Sequence, residues 1–435
     1  MAPKACTPQE AATLVRPVDT VAFGLGPGNP DAFFVALGER DDWEDLVLGG
    51  ALLLGYYNLF TKPGVTYRSG FFGPAERLLL AGGHNIELIP SGFRQFGSTL
   101  ARFTPRVMTA QAAPPENGSV NLSLHLGGTR DELLAAGRDP ERLLVIEVNP
   151  NLPRTCSRAP FDNTIPLDVI DVLIEANGEP VALPELLPTE EDQRIAAHAL
   201  TFVVDGATLQ TGIGAIPNII ATTLATGIGG GYGVHSEMFT DGLMRLHQAG
   251  KVTNLSKGQF EGVSVTTFAL GSAELYRWLD RNEEVAFLPV EVVNDPTVIG
   301  NNDKLVSING ALCVDLFGQV VADSIDGRQI SGVGGHEDFS SAADLRVDAH
   351  SLVCLHSTAQ IGGERRSRIV DRLPEGAIIS TPRHHANVVV TEYGAAELAG
   401  LTERERAHAL AEIAHPDERP ALREAAERMG RYQPA

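Results

Sequence analysis

The stretch Asp205-Gly-Ala-Thr-Leu-Gln-Thr-Gly-Ile-Gly-Ala-Ile-Pro-Asn-Ile-Ile-Ala-Thr-Thr-Leu224 decides the fold of this chain. It reads as an apolar strand, a Gly-rich loop and a helix that carries Pro217 in its first turn. The segment Asp19–Leu37 repeats this pattern, with glycines at 24, 26 and 28 and a proline at 30. Units of this kind build α/β domains, which contain parallel sheets.

Runs of β-branched residues alternate with helical stretches along the rest of the chain, which also favours an α/β fold. The candidate strands are Thr20–Phe23, Leu143–Val148, Thr201–Val204, Lys304–Ile308, Ser351–Leu355 and Asn387–Thr391.

Between Glu175 and Asp192 three prolines stand among acidic residues, which predicts a linker with few contacts. We therefore expect two domains, 1–185 and 186–435. Capping-box patterns at Thr189–Asp192 and Thr402–Glu405 predict the starts of two helices in the second domain.

Three pairs of similar segments occur in the same order in the two halves. Besides the pair quoted above, Arg68–Phe72 matches His235–Phe239, and Asn117–Val120 matches Phe317–Val320. This order predicts an internal duplication. The alternative is that strand–glycine–helix units look alike in any α/β protein. In the second pair Glu237 stands opposite Gly70, which suggests that only the second copy carries chemistry.

Composition bounds the function. The chain has 435 residues, 43% of them hydrophobic, and a formal net charge of −21. The apolar content excludes disorder as the main state, and the negative charge argues against nucleic-acid and anionic-membrane binding. Lysine occurs only at positions 4, 62, 251, 257 and 304, so we expect any anion site to use arginine or backbone amides.

Targeting and membrane segments are not expected. The first 20 residues lack an apolar run, and the uncharged run Leu46–Thr61 is shorter than the ~20 residues of a membrane helix. The four cysteines are far apart, and the adjacent histidines 384 and 385 lack metal-ligand spacing. We expect a cytoplasmic protein with no metal site and no membrane contact.

Two glycine-rich loops and one strand-end amide are candidate binding groups. Gly212–Pro217 opens a helix and suits a phosphate or an oxyanion, although a structural turn fits equally well. Pro217 occupies the sixth position, where a dinucleotide fingerprint needs glycine. The tract Ser331–Phe339 allows close backbone approach to a ligand or forms a surface turn. Asn309 ends a strand as a turn former or as an oxyanion donor.

Glu237 is the candidate carboxylate. A catalytic Glu needs partial desolvation and donors aimed at the developing charge, whereas most carboxylates are exposed or salt-bridged. The neighbouring His235 and Ser236 do not form a nucleophile elbow, since no G-x-S-x-G motif is present. Arg365, Arg366 and Arg368 form the densest basic cluster, either as a solvated face or as a phosphate contact.

Together these segments resemble the acetyl-CoA hydrolase/transferase family, which includes 4-hydroxybutyrate CoA-transferase and butyryl-CoA:acetate CoA-transferase. The similarity covers nearly the whole second half in order. The first half matches more loosely. The matching stretches in the second half are Leu209–Pro217, Gly233–Gly242, Val293–Pro296, Val306–Leu316, Ser331–Gly335, Asp338–Phe339, Val390–Gly394 and Ile413–Pro416.

The resemblance implies two related CoA-transferase-type α/β domains with the active site in the cleft between them, in a homodimer. It implies a CoA-transferase that uses an acyl-CoA and a small carboxylate such as acetate, with no permanently bound cofactor. Glu237 matches the nucleophile that forms a glutamyl-CoA thioester, in a ping-pong mechanism. Asn309 and the amide of Gly334 or Gly335 match the oxyanion donors.

The resemblance also implies CoA contacts, at Gly212, Ile213, Gly214, Ala215, Ile216, Ala311, Gly332 and Gln360. The family commonly has lysine where this chain has Gln360, and Arg365 or Arg366 is the candidate replacement for that charge. Two alternatives stay open: an acyl-CoA hydrolase on the same scaffold, which differs only in water access, and an inactive CoA-binding protein.

Overall fold

A computed structural model of the chain describes residues 3–184 and 187–430. The chain divides into two compact units. Unit 1 comprises the chain up to Pro184 together with Glu237–Phe239 and Val265–Val293, and unit 2 comprises the rest of the described chain. The expected boundary at 185 and 186 lies outside the described residues. Glu237, a residue of the expected C-terminal domain, belongs to unit 1.

Unit 1 is built on a ten-stranded sheet in which eight strands lie side by side and run parallel. Their order is Lys4–Cys6, Val172–Glu175, Leu143–Val148, Val107–Glu116, Val18–Phe23, Asp45–Gly50, Val65–Ser69 and Ile86–Leu88. The other two strands, Ser119–Asn121 and Thr164–Pro166, pair antiparallel. The α/β prediction is confirmed for this half of the chain.

Unit 2 is built on a six-stranded sheet in which the first five strands run parallel and the last pairs antiparallel. Their order is Gly233–Val234, Thr208–Thr211, Leu305–Gly310, His350–Cys354, Val388–Thr391 and Gly394–Glu397. Because parallel strands end on the same side, their carboxyl ends form one edge of this sheet. We call it the carboxyl edge of unit 2.

Five of the eight parallel strands in unit 1 follow the chain order of the five in unit 2: second, first, third, fourth, fifth. In unit 1 these are Asp45–Gly50, Val18–Phe23, Val107–Glu116, Leu143–Val148 and Val172–Glu175. A duplication predicts this agreement, and the duplication itself stays a prediction. By this order Gly233–Val234 corresponds to Asp45–Gly50. The turn that holds Glu237 therefore corresponds to the turn after Gly50. The sequence instead pairs Glu237 with Gly70, which follows the next strand outward, Val65–Ser69, and this pairing also stays a prediction.

Helices cover the sheets, and several begin with capping side chains. Thr189 and Thr402 both form the predicted capping boxes. The helices of unit 1 are Pro8–Ala12, Asp31–Gly38, Pro74–Ala81, Phe96–Phe103, Arg130–Arg138, Ala273–Leu279 and Val290–Val293. Those of unit 2 are Glu190–Ala199, Ala215–Thr226, Asp241–Gln248, Pro296–Gly300, His336–Ala343, Glu403–Glu412 and Arg419–Arg428.

Short elements complete the chain. Single 3₁₀ turns occupy Gly26–Gly28, Asn58–Thr61, Phe93–Gln95, Leu167–Val169 and Leu200–Phe202. The remaining strands are Met238–Phe239, Ser264–Thr266, Phe268–Ala269, Val285–Phe287, Cys313–Asp315, Val320–Val321, Ser324–Ile325, Arg328–Gln329, Thr358–Ile361, Glu364–Ser367 and Ile369–Val370. Within the described ranges, no helix combines the length and apolarity needed to cross a lipid bilayer.

One local prediction is wrong. Thr201–Val204 is not a strand, because the helix Glu190–Ala199 continues into a 3₁₀ turn and the strand begins only at Thr208. The described part of the predicted linker before that helix lacks regular structure and makes a few contacts. Its Leu183 amide donates to the Gly271 carbonyl at 2.9 Å, and the hydroxyl of Tyr276 donates to the Val181 carbonyl at 2.7 Å.

Separate apolar cores support the two units. In unit 1 the rings of Phe23, Phe34, Phe60 and Tyr67 pack edge-on or stacked in one buried cluster. In unit 2 the last two helices bury Leu410 and Ala426 against strand residues that include Val353. Apolar side chains thus pack against each parallel sheet, and parallel sheets require such cover because they are normally buried.

Candidate active site

Three sequence-predicted segments of unit 2 lie at its carboxyl edge. The Gly212 loop follows Thr211, Ala311 follows the strand that contains Asn309, and the hairpin that contains Gln360 follows Cys354. Adjacent strand ends align, since Thr211 is opposite Ile308 and Gly310 is opposite Cys354. Ligands of open parallel sheets bind at this kind of edge.

The Gly212 loop leads directly into the helix Ala215–Thr226. Gly214 has a φ of +131°, a conformation that favours glycine, and it brings no side chain to cap the helix. The first-turn amides and the helix dipole therefore suit a phosphate or a carbonyl oxygen that gains negative charge. Ile213 beside them is 54% exposed, so a ligand can reach the loop.

Asn309 is half-buried near the end of its strand, and its side chain is held by a neighbour. The Asn309 Nδ2 donates to Gln210 Oε1 at 3.1 Å, and Gln210 Nε2 donates to Asn309 Oδ1 at 3.2 Å. Gln210 is buried, with 4% exposure. Sequence reasoning missed Gln210, although it lies two residues before Gly212 in the quoted stretch.

The loop Gly332–Gly335 also approaches the carboxyl edge. It leads into the helix His336–Ala343, which packs on the strands Leu305–Gly310 and His350–Cys354 and connects them. A connecting helix runs back antiparallel to its strands, so its N-terminus lies at their carboxyl ends.

The predicted oxyanion donors stand at the end of this loop. Gly334 has a φ of +57°, and Gly335 is buried at the start of the helix. Burial lowers the pKa of His336 to about 4, so its imidazole is neutral at pH 7. The helix start therefore carries no positive side chain from this residue, and its backbone amides are the groups offered to an anion.

His235 and Ser236 follow the strand Gly233–Val234 and precede Glu237 in the sequence. Both are fully buried. Nδ1 of His235 lies 3.2 Å from Asn302 Nδ2, and the Ser236 hydroxyl donates to the Thr211 carbonyl at 3.4 Å. These contacts hold residues 235 and 236 beside the strand Thr208–Thr211, which precedes the Gly212 loop. Their burial argues against a serine nucleophile, as the sequence does.

Glu237 is half-buried, and the main chain on which it stands is fixed. Its carbonyl accepts hydrogen bonds from the Thr267 amide at 3.0 Å, the Phe268 amide at 3.3 Å and the Thr266 hydroxyl at 2.9 Å. The next two residues, Met238–Phe239, pair in parallel with Phe268–Ala269. The carboxylate thus extends from an ordered backbone, as a nucleophile requires.

Gln360 lies in an exposed antiparallel hairpin, directly opposite Arg365. Residues opposite each other in such a pair share a face, whereas Arg366 is opposite Ala359 on the other face. Arg365 forms an ion pair with Asp417. Of the two candidate replacements for the family lysine, Arg365 is therefore the one beside Gln360.

Metal ligation finds no support in the part of the chain that the structure describes. There, no group of three or more His, Cys, Asp or Glu side chains is placed to hold a metal ion. His385 instead pairs through Nδ1 with Glu337.

A second polar cluster, missed by sequence reasoning, lies inside unit 1. Glu147 is 1% exposed, and its Oε2 accepts a hydrogen bond from the Phe33 amide at 3.0 Å. The Tyr57 hydroxyl donates to Asp31 in the first turn of the same helix. Burial raises the pKa of Glu147 to about 7 and also raises the pKa of Asp31. No sequence motif marks this cluster, because its members come from a helix, a loop and a strand that are far apart in the sequence.

Comparison with known proteins identifies the family. Residues 271–426 match the model of the acetyl-CoA hydrolase/transferase C-terminal domain. The chain is 34% identical to succinyl-CoA:cyclohexane-1-carboxylate CoA transferase of Geobacter metallireducens, over 98% of this chain and 96% of that protein. It is 32% identical to 4-hydroxybutyrate coenzyme A transferase of Clostridium kluyveri, over 96% of each.

Solved structures agree with the sequence relatives. The crystal structure of RipA from Yersinia pestis is 30% identical and superposes with a TM-score of 0.85, over 98% of this chain and 97% of that one. Relatives above 30% identity thus extend along almost the full length of both chains, and they are CoA transferases. The chain belongs to the acetyl-CoA hydrolase/transferase family and is an enzyme of its CoA-transferase type.

Proposed function

We propose that this enzyme moves CoA between an acyl-CoA and a small carboxylate such as acetate, through a glutamyl-CoA thioester on Glu237. The observation that carries the proposal is the half-buried Glu237 on a main chain fixed by three hydrogen bonds to its carbonyl. A carboxylate is a weak nucleophile, so its rate depends on positioning, which can contribute roughly 7–11 kcal/mol. Membership of a CoA-transferase family supports the substrate class.

The reaction proceeds in balanced steps. A Glu237 carboxylate oxygen attacks the thioester carbonyl, the carbon–sulfur bond breaks, and a mixed anhydride and the CoA thiolate form. The thiolate then attacks the glutamyl carbonyl, which releases the first acid and leaves a glutamyl-CoA thioester. The acceptor carboxylate runs the same steps in reverse, so one thioester replaces another and no ATP is consumed.

We assign the charge-stabilising roles to groups of unit 2. Asn309 and the amide of Gly334 or Gly335 donate to the carbonyl oxygen as it becomes an oxyanion, and such a donor contributes about 3–4 kcal/mol. The loop Gly212–Ile216, with Ala311, Gly332 and Gln360, contacts CoA. Arg365 supplies the positive charge that the phosphates of CoA require. A homodimer and a cytoplasmic location remain predictions.

Trapping of the intermediate tests the proposal. The enzyme is incubated with a panel of short acyl-CoAs, treated with borohydride and digested, and the peptide that contains residue 237 is analysed by mass spectrometry. We expect reduction of the Glu237 carboxyl to an alcohol only when acyl-CoA is present. Glu237→Gln should lose CoA exchange and labelling, while Glu274→Gln, an exposed carboxylate in the same unit, should retain both.

The same panel separates transfer from hydrolysis. Transfer predicts that CoA appears on the acceptor acid in a carboxylate-dependent way, with little free thiol. Thiol release that is independent of added carboxylate would assign the chain to the hydrolase activity. An unlabelled Glu237 in an enzyme that exchanges CoA would overturn the covalent mechanism.

A further inference from the structure

The amide side chains of Gln210 and Asn309 form a closed pair across two neighbouring strands. Each amide donates one N–H to the oxygen of the other, at 3.1 and 3.2 Å. Gln210 is 4% exposed, and its strand is paired on both sides, so its side chain has little freedom. Asn309 is half-buried, with its strand ending one residue later.

This pairing fixes a side chain that would otherwise rotate. The terminal torsion of asparagine is broad, and a strand-end Asn in contact with solvent populates several orientations. An Asn amide nitrogen carries two hydrogens, of which the pair uses one. The orientation of the second N–H is therefore set by Gln210.

We propose that Gln210 is a positioning residue that holds the Asn309 N–H in the direction of the substrate carbonyl oxygen. This inference rests on the proposed function, because it takes Asn309 as an oxyanion donor. A preorganised donor stabilises a transition state without reorienting as charge develops, whereas a freely rotating amide must first be ordered. Replacement of Gln210 should therefore lower kcat, and it should do so only when Asn309 is present.

A double-mutant cycle tests this dependence. The variants are Gln210→Leu, Asn309→Ala and the double variant, each checked for folding by thermal melting, with kcat and KM for acyl-CoA measured in the exchange reaction. Removal of an oxyanion donor costs about 10²–10³ in kcat, and a misplaced one about 10–100-fold. We expect Gln210→Leu to lose 10–100-fold in kcat, as the misplaced donor does, with KM nearly unchanged. In the Asn309→Ala background the same change should have no further effect.

Two matched controls come from the same place in the sheet. Thr208 lies two residues before Gln210 on the same strand face, and Ser307 is directly opposite Gln210. Both are fully buried, and their hydroxyls make no hydrogen bond among the described residues. Thr208→Val and Ser307→Ala should keep wild-type kcat.

A charged variant gives an independent readout. In Gln210→Glu the ionised carboxylate cannot donate to Asn309 Oδ1, but its protonated form can donate and accept as the amide does. Relative to wild type, kcat of Gln210→Glu should therefore rise as pH falls, while that of Gln210→Leu should not. A silent Asn309→Ala would contradict the proposed donor role. Additive losses in the double variant, with Asn309→Ala impaired, would overturn the inference about Gln210 alone.

Discussion

The buried ammonium of Lys257 lies 2.7 Å from the carbonyl oxygen of Val234, three residues before Glu237, and 2.9 Å from that of Val263. Lys257 is 2% exposed, and its stem passes over Gly233, where an added Cβ would lie 2.3 Å from Lys257 Cγ. The glycine thus makes room for the lysine, which donates to the Val234 carbonyl at the end of the edge strand and to the Val263 carbonyl just before the strand Ser264–Thr266.

Loss of this ammonium should destabilise the protein strongly. Lys257→Met keeps the stem but leaves two carbonyls without their donor, and we expect a cost of about 3 kcal/mol in the free energy of unfolding. Urea denaturation measures it. Lys4→Met, at an exposed position, is the control and should stay within about 0.5 kcal/mol. Equal effects of the two variants would show that the buried contacts contribute nothing.

Glu147 should make stability depend on pH. Its pKa of about 7 in the folded protein exceeds the ~4.3 of an unfolded chain. Between these values the folded state binds more protons, so stability is lost as pH rises from about 4 through about 7. The contribution amounts to about 4 kcal/mol.

The Glu147→Gln variant should lack that dependence. An amide oxygen can still accept from the Phe33 amide, so the variant should exceed wild type in stability only slightly near pH 5 and by nearly the full amount at pH 8. Urea unfolding from pH 5 to 8 tests this. Glu141→Gln, at an exposed site, should keep the wild-type slope. An unchanged slope in Glu147→Gln would contradict the raised pKa.

The capping box at Thr402 should contribute measurably to the C-terminal helix pair. The Thr402 hydroxyl and the Glu405 carboxylate each satisfy a backbone amide at the start of the helix. We expect Thr402→Ala to cost about 1 kcal/mol, whereas Thr402→Ser keeps the hydroxyl and most of the stability. Thermal melting of the three proteins separates loss of the cap from loss of the methyl group.

Replacement of Gly137 by alanine should lower the stability of the protein, although helix propensity alone predicts a gain. In a helix interior alanine is favoured over glycine by about 1 kcal/mol, yet an added Cβ at Gly137 would lie 2.1 Å from the Val169 carbonyl oxygen. Gly137→Ala should therefore destabilise unit 1 by about 2 kcal/mol or more. Ala135→Gly, exposed in the same helix, calibrates the propensity alone at about 1 kcal/mol. A gain in stability for Gly137→Ala would refute the contact.

Features set by local chemistry could be predicted from the sequence. The capping boxes at Thr189 and Thr402 depend on residues three apart, and Asn309 at its strand end depends on a short β-branched run. The prediction of a strand at Thr201–Val204 also rests on local composition, and it is wrong. The preceding helix continues into this segment, and a turn at Gly206 separates it from the strand Thr208–Thr211.

Features set by distant partners could not be predicted. Gln210 and Asn309 are 99 positions apart, and a glutamine within a strand carries no periodic signal. Glu147 and Phe33 are 114 positions apart. The assignment of Glu237 to unit 1 follows from backbone pairing with Thr267, which the sequence of either segment alone does not reveal.

Unit 1 is assembled from three separate segments of the chain, and this has a consequence for folding during synthesis. Strand and loop residues near 125 and 155 need hydrogen-bond partners from Thr267 and Phe287, which leave the ribosome more than a hundred residues later. A nascent chain released at Pro184 would hold most of a sheet with those backbone groups unsatisfied. Folding of unit 1 is therefore complete only after residue 293 has emerged, and by then the segment that contains Glu237 has already been synthesised.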